Sequence, residues 1–166
     1  MTAYASYIPS PMHEMVAAVD GDGALLVLEF ADRCSAEDLE RRLGHVIWSD
    51  PRLAEVRRQL AEYFAGERRE FELVTAPDGS EFQRRVWSAL REIPFGETTS
   101  YGELAAALGR PGASRAVGRA NATNPVCLVT PCHRVIGKDG SLTGFGGGIE
   151  KKRWLLEHES AQRRLI

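Results

Sequence analysis

The chain contains no apolar run of transmembrane length, so a helical membrane anchor is not expected. Its start, Met1-Thr2-Ala3-Tyr4, lacks a basic stretch followed by an apolar one, and no secretory signal is expected either. Cysteine is scarce. Cys34, Cys127 and Cys132 are odd in number and scattered, which argues against a disulfide framework and for a reducing, cytoplasmic setting. The glycine-rich run Gly144-Phe145-Gly146-Gly147-Gly148 lacks the lysine and hydroxyl of a phosphate-binding P-loop and the βαβ context of a dinucleotide fold. A loop lying over a pocket is the expectation there. Cys34, His13 and His45 form no recognisable zinc ligand set, so neither a metal nor another cofactor is expected.

What is present is ordinary in bulk and uneven in distribution. The 166 residues are 43% hydrophobic and 27% charged, enough for one domain or a small pair with a real core. The net charge of −2 hides an asymmetry. Residues 1–79 hold 8 Lys and Arg against 15 Asp and Glu, whereas residues 80–166 hold 13 against 8. A basic second half suits a polyanionic partner, although two differently solvated faces would show the same numbers. Ala76-Pro77-Asp78-Gly79 is a strong breaker at the charge change. It divides the chain into a first domain, 1–79, and a second, 80–166.

The first domain reads as strands at Thr2–Ile8, Glu14–Val19 and Ala24–Phe30, with Asp20-Gly21-Asp22-Gly23 supplying hairpin residues. Ser35–Leu43 predicts a short helix. Asp50-Pro51 predicts an N-cap and first helical position, followed by Leu53, Val56, Leu60, Tyr63 and Phe64 at helical spacing up to Gly66. Phe71–Thr75 predicts one more strand.

The second domain opens on a capping box, Ser80 with Gln83, and an apolar stripe of Phe82, Val86, Trp87, Leu90 and Ile93 before Pro94. A second capping box, Ser100 with Glu103, starts a helix through Leu108. After Gly109-Arg110-Pro111-Gly112, Ala113–Asn121 predicts another. Two short helices about a glycine turn fit a helix-turn-helix, although most such hairpins are only packing units. Small residues around Arg115 and Arg119 fit close approach to a minor groove, or a close helix–helix contact. Glu150–Glu159 predicts a last helix with Trp154, Leu155 and His158 inward.

Pro131-Cys132-His133-Arg134 carries the chemistry. A free thiol near its usual pKa of about 8.5 is only a few per cent thiolate at neutral pH, and an adjacent base removes that handicap. Val126–Val129 reads as a short buried strand leading to Cys132, and Val135–Gly140 as a strand end and turn. Neighbours on a strand point to opposite sides, so a water bridging Cys132 and His133 is expected rather than direct contact.

With Asn124-Pro125 before Pro131-Cys132-His133-Arg134-Val135, the chain resembles the O6-alkylguanine-DNA alkyltransferases. Further matches are Pro94-Phe95-Gly96-Glu97, Ser100-Tyr101, Arg115-Ala116-Val117-Gly118, and Gly147-Gly148 before Trp154-Leu155-Leu156. In the first half only Ser10-Pro11 and Tyr63-Phe64-Ala65-Gly66 are similar. The resemblance implies an α+β fold: an N-terminal ribonuclease-H-like α/β domain with an antiparallel sheet, then a mainly helical domain with a helix-turn-helix. It implies a monomer, acting singly or cooperatively on double-stranded DNA. The protein would flip O6-alkylguanine through the minor groove and transfer the alkyl group irreversibly to itself.

By the same resemblance Cys132 is the acceptor, His133 its base, Glu159 the holder of the other imidazole nitrogen and Asn124 a brace. Arg115 would replace the flipped base and Tyr101 would press on a phosphate. Gly102, Arg110, Ala116, Gly118 and Lys138 would also lie on the DNA side. Val135, Phe145, Gly146 and Tyr101 would line the base pocket. Phe145 stands where many members have tyrosine, and Thr130 where an aliphatic is usual. A binding-only relative of the same fold and a cysteine hydrolase are the competing classes. The first would lack the cysteine, and no usual hydrolase signature surrounds Cys132.

Overall fold

The computed structural model describes residues 1–143, 145 and 148–164. It divides into two compact units, Met1–Asp78 and Gly79–Ile166.

In the first unit, strands β1 (Thr2–Ile8), β2 (Met15–Val19) and β3 (Leu25–Phe30) form antiparallel pairs. The β2–β3 turn is set by Asp20, whose carboxylate accepts from the amides of Asp22 and Ala24, with Gly23 at φ +87°. Helix α1 (Ala36–Leu43) begins at a complete capping box of Ser35 and Asp38. It leads to a strand that the sequence pattern does not reveal, β4 (His45–Trp48), which pairs in parallel with β1 to give the order β3-β2-β1-β4. Only four residues long and largely exposed, β4 lacks the apolar alternation that marks a strand. One face of the sheet packs Ala3, Ala5, Val16, Ala18, Val27 and Val46 against Leu39 and Leu43 of α1.

Two local expectations are corrected in this unit. Asp50 is not the cap of a long helix. Ser49 precedes a 3-10 turn, Asp50–Leu53, from which α2 (Ala54–Phe64) continues. The Asp50 carboxylate accepts instead from the Ser6 hydroxyl. Phe71–Thr75 forms no strand and contributes a single bridge, Thr75 to Leu25. Gln59, buried in α2, bonds both the amide and the carbonyl of Glu72, so a side chain satisfies that backbone in place of a neighbouring strand.

The second unit is mainly helical. Helix α3 (Glu81–Leu90) starts at Ser80, whose capping box with Gln83 is complete, and leaves by a turn through Ile93. Two-residue strands β5 (Thr99–Ser100) and β6 (Val135–Ile136) pair in parallel. Helix α4 (Tyr101–Ala107) is capped by Ser100, but the box is incomplete: Glu103 accepts from the Ser100 hydroxyl rather than from its amide. A turn with Gly109 at φ +76° leads to α5 (Ser114–Ala122), and α6 (Ile149–Arg164) ends the unit. Trp87 of α3 is 4% exposed and donates from Nε1 to the Ala120 carbonyl of α5 at 2.8 Å. Its ring occupies the place where a Cβ on residue 79 would stand, at 2.5 Å, so glycine is required there. Trp87→Phe leaves the Ala120 carbonyl with the Thr123 hydroxyl as its donor, and chemical denaturation is expected to show a loss of about 0.5–1.5 kcal/mol.

Candidate active site

Cys132 lies on a one-turn 3-10 helix, Cys132–Arg134, and is 4% exposed. The expected strand before it is absent. Val126–Thr130 is a tight turn in which Val129 and Thr130 donate to the carbonyls of Cys127 and Val126, and Leu128 adopts φ +71° while fully buried. A left-handed leucine is costly, and surrounding contacts must hold it. Asn124 supplies them: its Oδ1 accepts from the Val126 amide at 3.0 Å, and its Nδ2 donates to the carbonyls of Val126 and Thr130. Apolar composition alone cannot separate such a turn from a strand.

A 3-10 helix turns about 120° per residue, so Cys132 and His133 still point apart, although not for the reason a strand would supply. His133 is fully buried, with Nε2 2.8 Å from Glu159 Oε2 and Nδ1 without a partner among the described residues. Glu159 is 1% exposed, and Arg134 grips both of its oxygens through Nε (2.8 Å) and Nη2 (2.9 Å). The Arg134 Nη1 donates to the Ile93 carbonyl.

Burial alone would raise the Glu159 pKa, but His133 and the bidentate Arg134 outweigh it and hold the carboxyl far below its usual range. Burial dominates at His133 and pulls its pKa down against the attraction of Glu159, with the Arg134 and Lys152 charges adding to the depression. The resting pair is therefore an ionised carboxylate and a neutral imidazole. The carboxylate claims the Nε2 proton, which leaves Nδ1 with a lone pair to accept another.

Helix α6 presents Lys152, Leu155 and Glu159 inward, spaced by three and four residues. Trp154 and His158, expected there, are only half-buried and stack on each other with centroids 4.9 Å apart. Lys152 and Arg134 are the members that sequence reading missed; their positions, one beside the motif and one on the helix that bears Glu159, are the only signals that could have found them. Lys152 is fully buried, and its Nζ donates to the carbonyls of Val135 and Thr143. Burial lowers its pKa to about 8, with attraction to Cys132 opposing.

The other expected residues fall in three places. Tyr101, first in α4, donates to the Thr143 carbonyl at 2.8 Å, and a Cβ at Gly118 would meet its ring at 3.7 Å. Arg115 is exposed on α5, beside an open concavity of about 550 Å³ also lined by Tyr101, Gly118, Arg119 and Thr143. Gly102, Arg110 and Lys138 are exposed, Ala116 is half-buried and Arg110 lies 5.3 Å from the Phe82 ring centroid. Phe145 is buried, whereas Gly146 lies outside the described residues. Val135, expected in the base pocket, donates its amide to the Cys132 carbonyl here. Among the described residues, no three His, Cys, Asp or Glu side chains cluster as metal ligands would.

A buried thiol next to a neutral imidazole with an open nitrogen, backed by a fixed carboxylate, is the arrangement of a cysteine nucleophile. Residues 81–161 match the 6-O-methylguanine DNA methyltransferase DNA-binding domain. A methylated-DNA–protein-cysteine methyltransferase of Salmonella typhimurium is 59% identical over 102 residues, a match that spans 61% of this chain and 60% of the relative's length. The crystal structure of Mycobacterium tuberculosis O6-methylguanine methyltransferase is similar over 96% of this chain and 94% of that one, at 42% identity and TM-score 0.86. The M. tuberculosis protein in complex with DNA is similar over 98% and 94%, at 41% identity and TM-score 0.86. The chain belongs to the methylated-DNA–protein-cysteine methyltransferase family.

Proposed function

We propose that this protein repairs duplex DNA by direct reversal, flipping out O6-alkylguanine and taking its alkyl group irreversibly onto Cys132. The observation that carries this reading is the buried Cys132 turn, backed by a neutral His133 whose Nδ1 is open and whose Nε2 is held by Glu159. His133 Nδ1 takes the thiol proton through a bridging water. The sulfur attacks the alkyl carbon, the S–C bond forms as the C–O6 bond breaks, and guanine leaves with the electron pair. Glu159 stabilises the imidazolium, and Arg134 holds that carboxylate in place. The thioether product has no easy route back to a thiol, so each chain acts once.

The basic second unit would meet the phosphates, with Arg115 entering the minor groove and filling the gap left by the flipped base. Incubation with a duplex containing O6-methylguanine is expected to add one methyl group per chain by intact-protein mass; an unchanged mass would leave only a binding protein. Arg115→Ala is expected to slow repair in duplex roughly tenfold while sparing transfer from free O6-benzylguanine, because the free base needs no extrusion. Equal slowing of both substrates would place Arg115 outside flipping. Duplex affinity should fall with rising salt, as phosphate contacts require.

A further inference from the structure

Helix α5 packs into its unit through Val117, Ala120 and Asn121, all buried. The other side of the helix carries Ser114, Arg115, Arg119 and Ala122, all exposed. Gly118, at the edge between the two sides, meets the Tyr101 ring. The outward arginines are therefore free of the helix packing, and both line the open concavity beside Tyr101.

Arg115 and Arg119 stand one turn apart, and like charges at that spacing destabilise a helix. Nothing in the concavity offsets them: its described lining is Tyr101, Ser114, Gly118, Ala122 and Thr143, with no carboxylate. Neither guanidinium has a hydrogen-bonding or ionic partner among the described residues. The Tyr101 hydroxyl is already spent on the Thr143 carbonyl, so the arginines are the charged donors that this surface offers. The family motif Arg115-Ala116-Val117-Gly118 stops one residue short of Arg119.

Four residues span about 6 Å along a helix axis, and a B-form minor groove is about 6 Å wide. With Arg115 in the gap left by a flipped base, the next arginine on the stripe reaches the groove wall, where the phosphates lie. Building on the proposed reaction, we infer that Arg119 is a second DNA-contacting residue, which clasps a backbone phosphate beside the lesion and holds α5 in the groove while Arg115 enters the stack. A guanidinium suits this task because its fork matches two phosphate oxygens at once. A phosphate contact carries no sequence information, so the clasp acts on damaged and undamaged duplex alike.

Fluorescence-anisotropy titrations of the full chain with undamaged and O6-methylguanine duplexes, between about 50 and 200 mM salt, test the clasp. Arg119→Ala should weaken binding of both duplexes by a similar factor, about three- to tenfold at the low-salt end. The slope of log affinity against log salt should become shallower by about 0.9, the share of one phosphate. Arg119→Lys, which keeps the charge, should retain the parent slope and stay within about threefold in affinity. An unchanged slope in Arg119→Ala, or a loss confined to the damaged duplex, overturns the proposal. A transfer rate at saturating duplex that falls as far as the affinity also overturns it, because Arg119 would then act in flipping. The titrations need no chemistry: a parent that gives the expected slopes yet adds no methyl group keeps the clasp and removes the reaction.

Discussion

Cys132→Ala is expected to abolish alkyl transfer completely and to leave duplex binding near the parent value. In the proposed reaction the sulfur accepts the alkyl carbon, and the cations beside it cannot replace it: Arg134 is committed to Glu159 and Ile93, and Lys152 to the Val135 and Thr143 carbonyls. The residue is 4% exposed, so its loss takes no contact from the α5 surface. Replacing the thiol by a hydrogen removes little volume, and destabilisation of about 1 kcal/mol is expected. Intact mass after incubation with O6-methylguanine duplex, beside a gel-shift titration, checks both halves. A mass gain in the variant would move the acceptor elsewhere, and repeated turnover by the parent would contradict a thioether end product.

Glu159→Gln is expected to lower the single-turnover rate about 100-fold at neutral pH and to regain part of it under alkaline conditions. Proton transfer from Cys132 creates an imidazolium on His133, and the carboxylate 2.8 Å from Nε2 stabilises that charge. Without it, the proton must leave by way of solvent, which becomes easier as pH rises. The same change strands Arg134, 6% exposed, with a buried charge, at a cost of about 3–5 kcal/mol. Pairing it with Arg134→Met should recover stability but not rate, which separates the proton relay from a merely structural role. A rate within twofold of the parent from pH 6 to 9 would exclude the relay.

Acid stability follows from the same pair. His133 and Glu159 are both depressed in the fold, so the unfolded chain takes up each proton first. Their contributions are therefore complete above the unfolded values and are lost as pH falls through the folded ones. Denaturation midpoints should decline below about pH 6.5, and again below about 4.3. The paired substitution should remove the lower step.

Much of this molecule is written in local signals. Capping residues Ser35, Ser80 and Ser100 act on amides three positions away, and Gly23, Gly66 and Gly109 allow positive φ, so helix starts and turns are legible without knowing the fold. Adjacency of Cys132 and His133 likewise points to the chemistry from sequence alone. Partners far apart in the chain are another matter. Strand β4 exists because β1 lies beside it, not because His45–Trp48 alternates. Val126–Val129 is apolar enough for a strand, yet Asn124 draws it into a turn.

Arg134 stands 25 residues from Glu159, and Asn121 stands 11 from Cys132. Only the tertiary fold brings them together. A side-chain hydrogen bond needs both partners at about 3 Å, and the chain between them carries no local pattern that records the distance. Sequence thus pointed to the nucleophile and determined the starts of α1, α3 and α4 and the two-part division of charge. The packing of α5 and α6 around the 3-10 turn decided which buried charges neutralise each other and which imidazole nitrogen remains open.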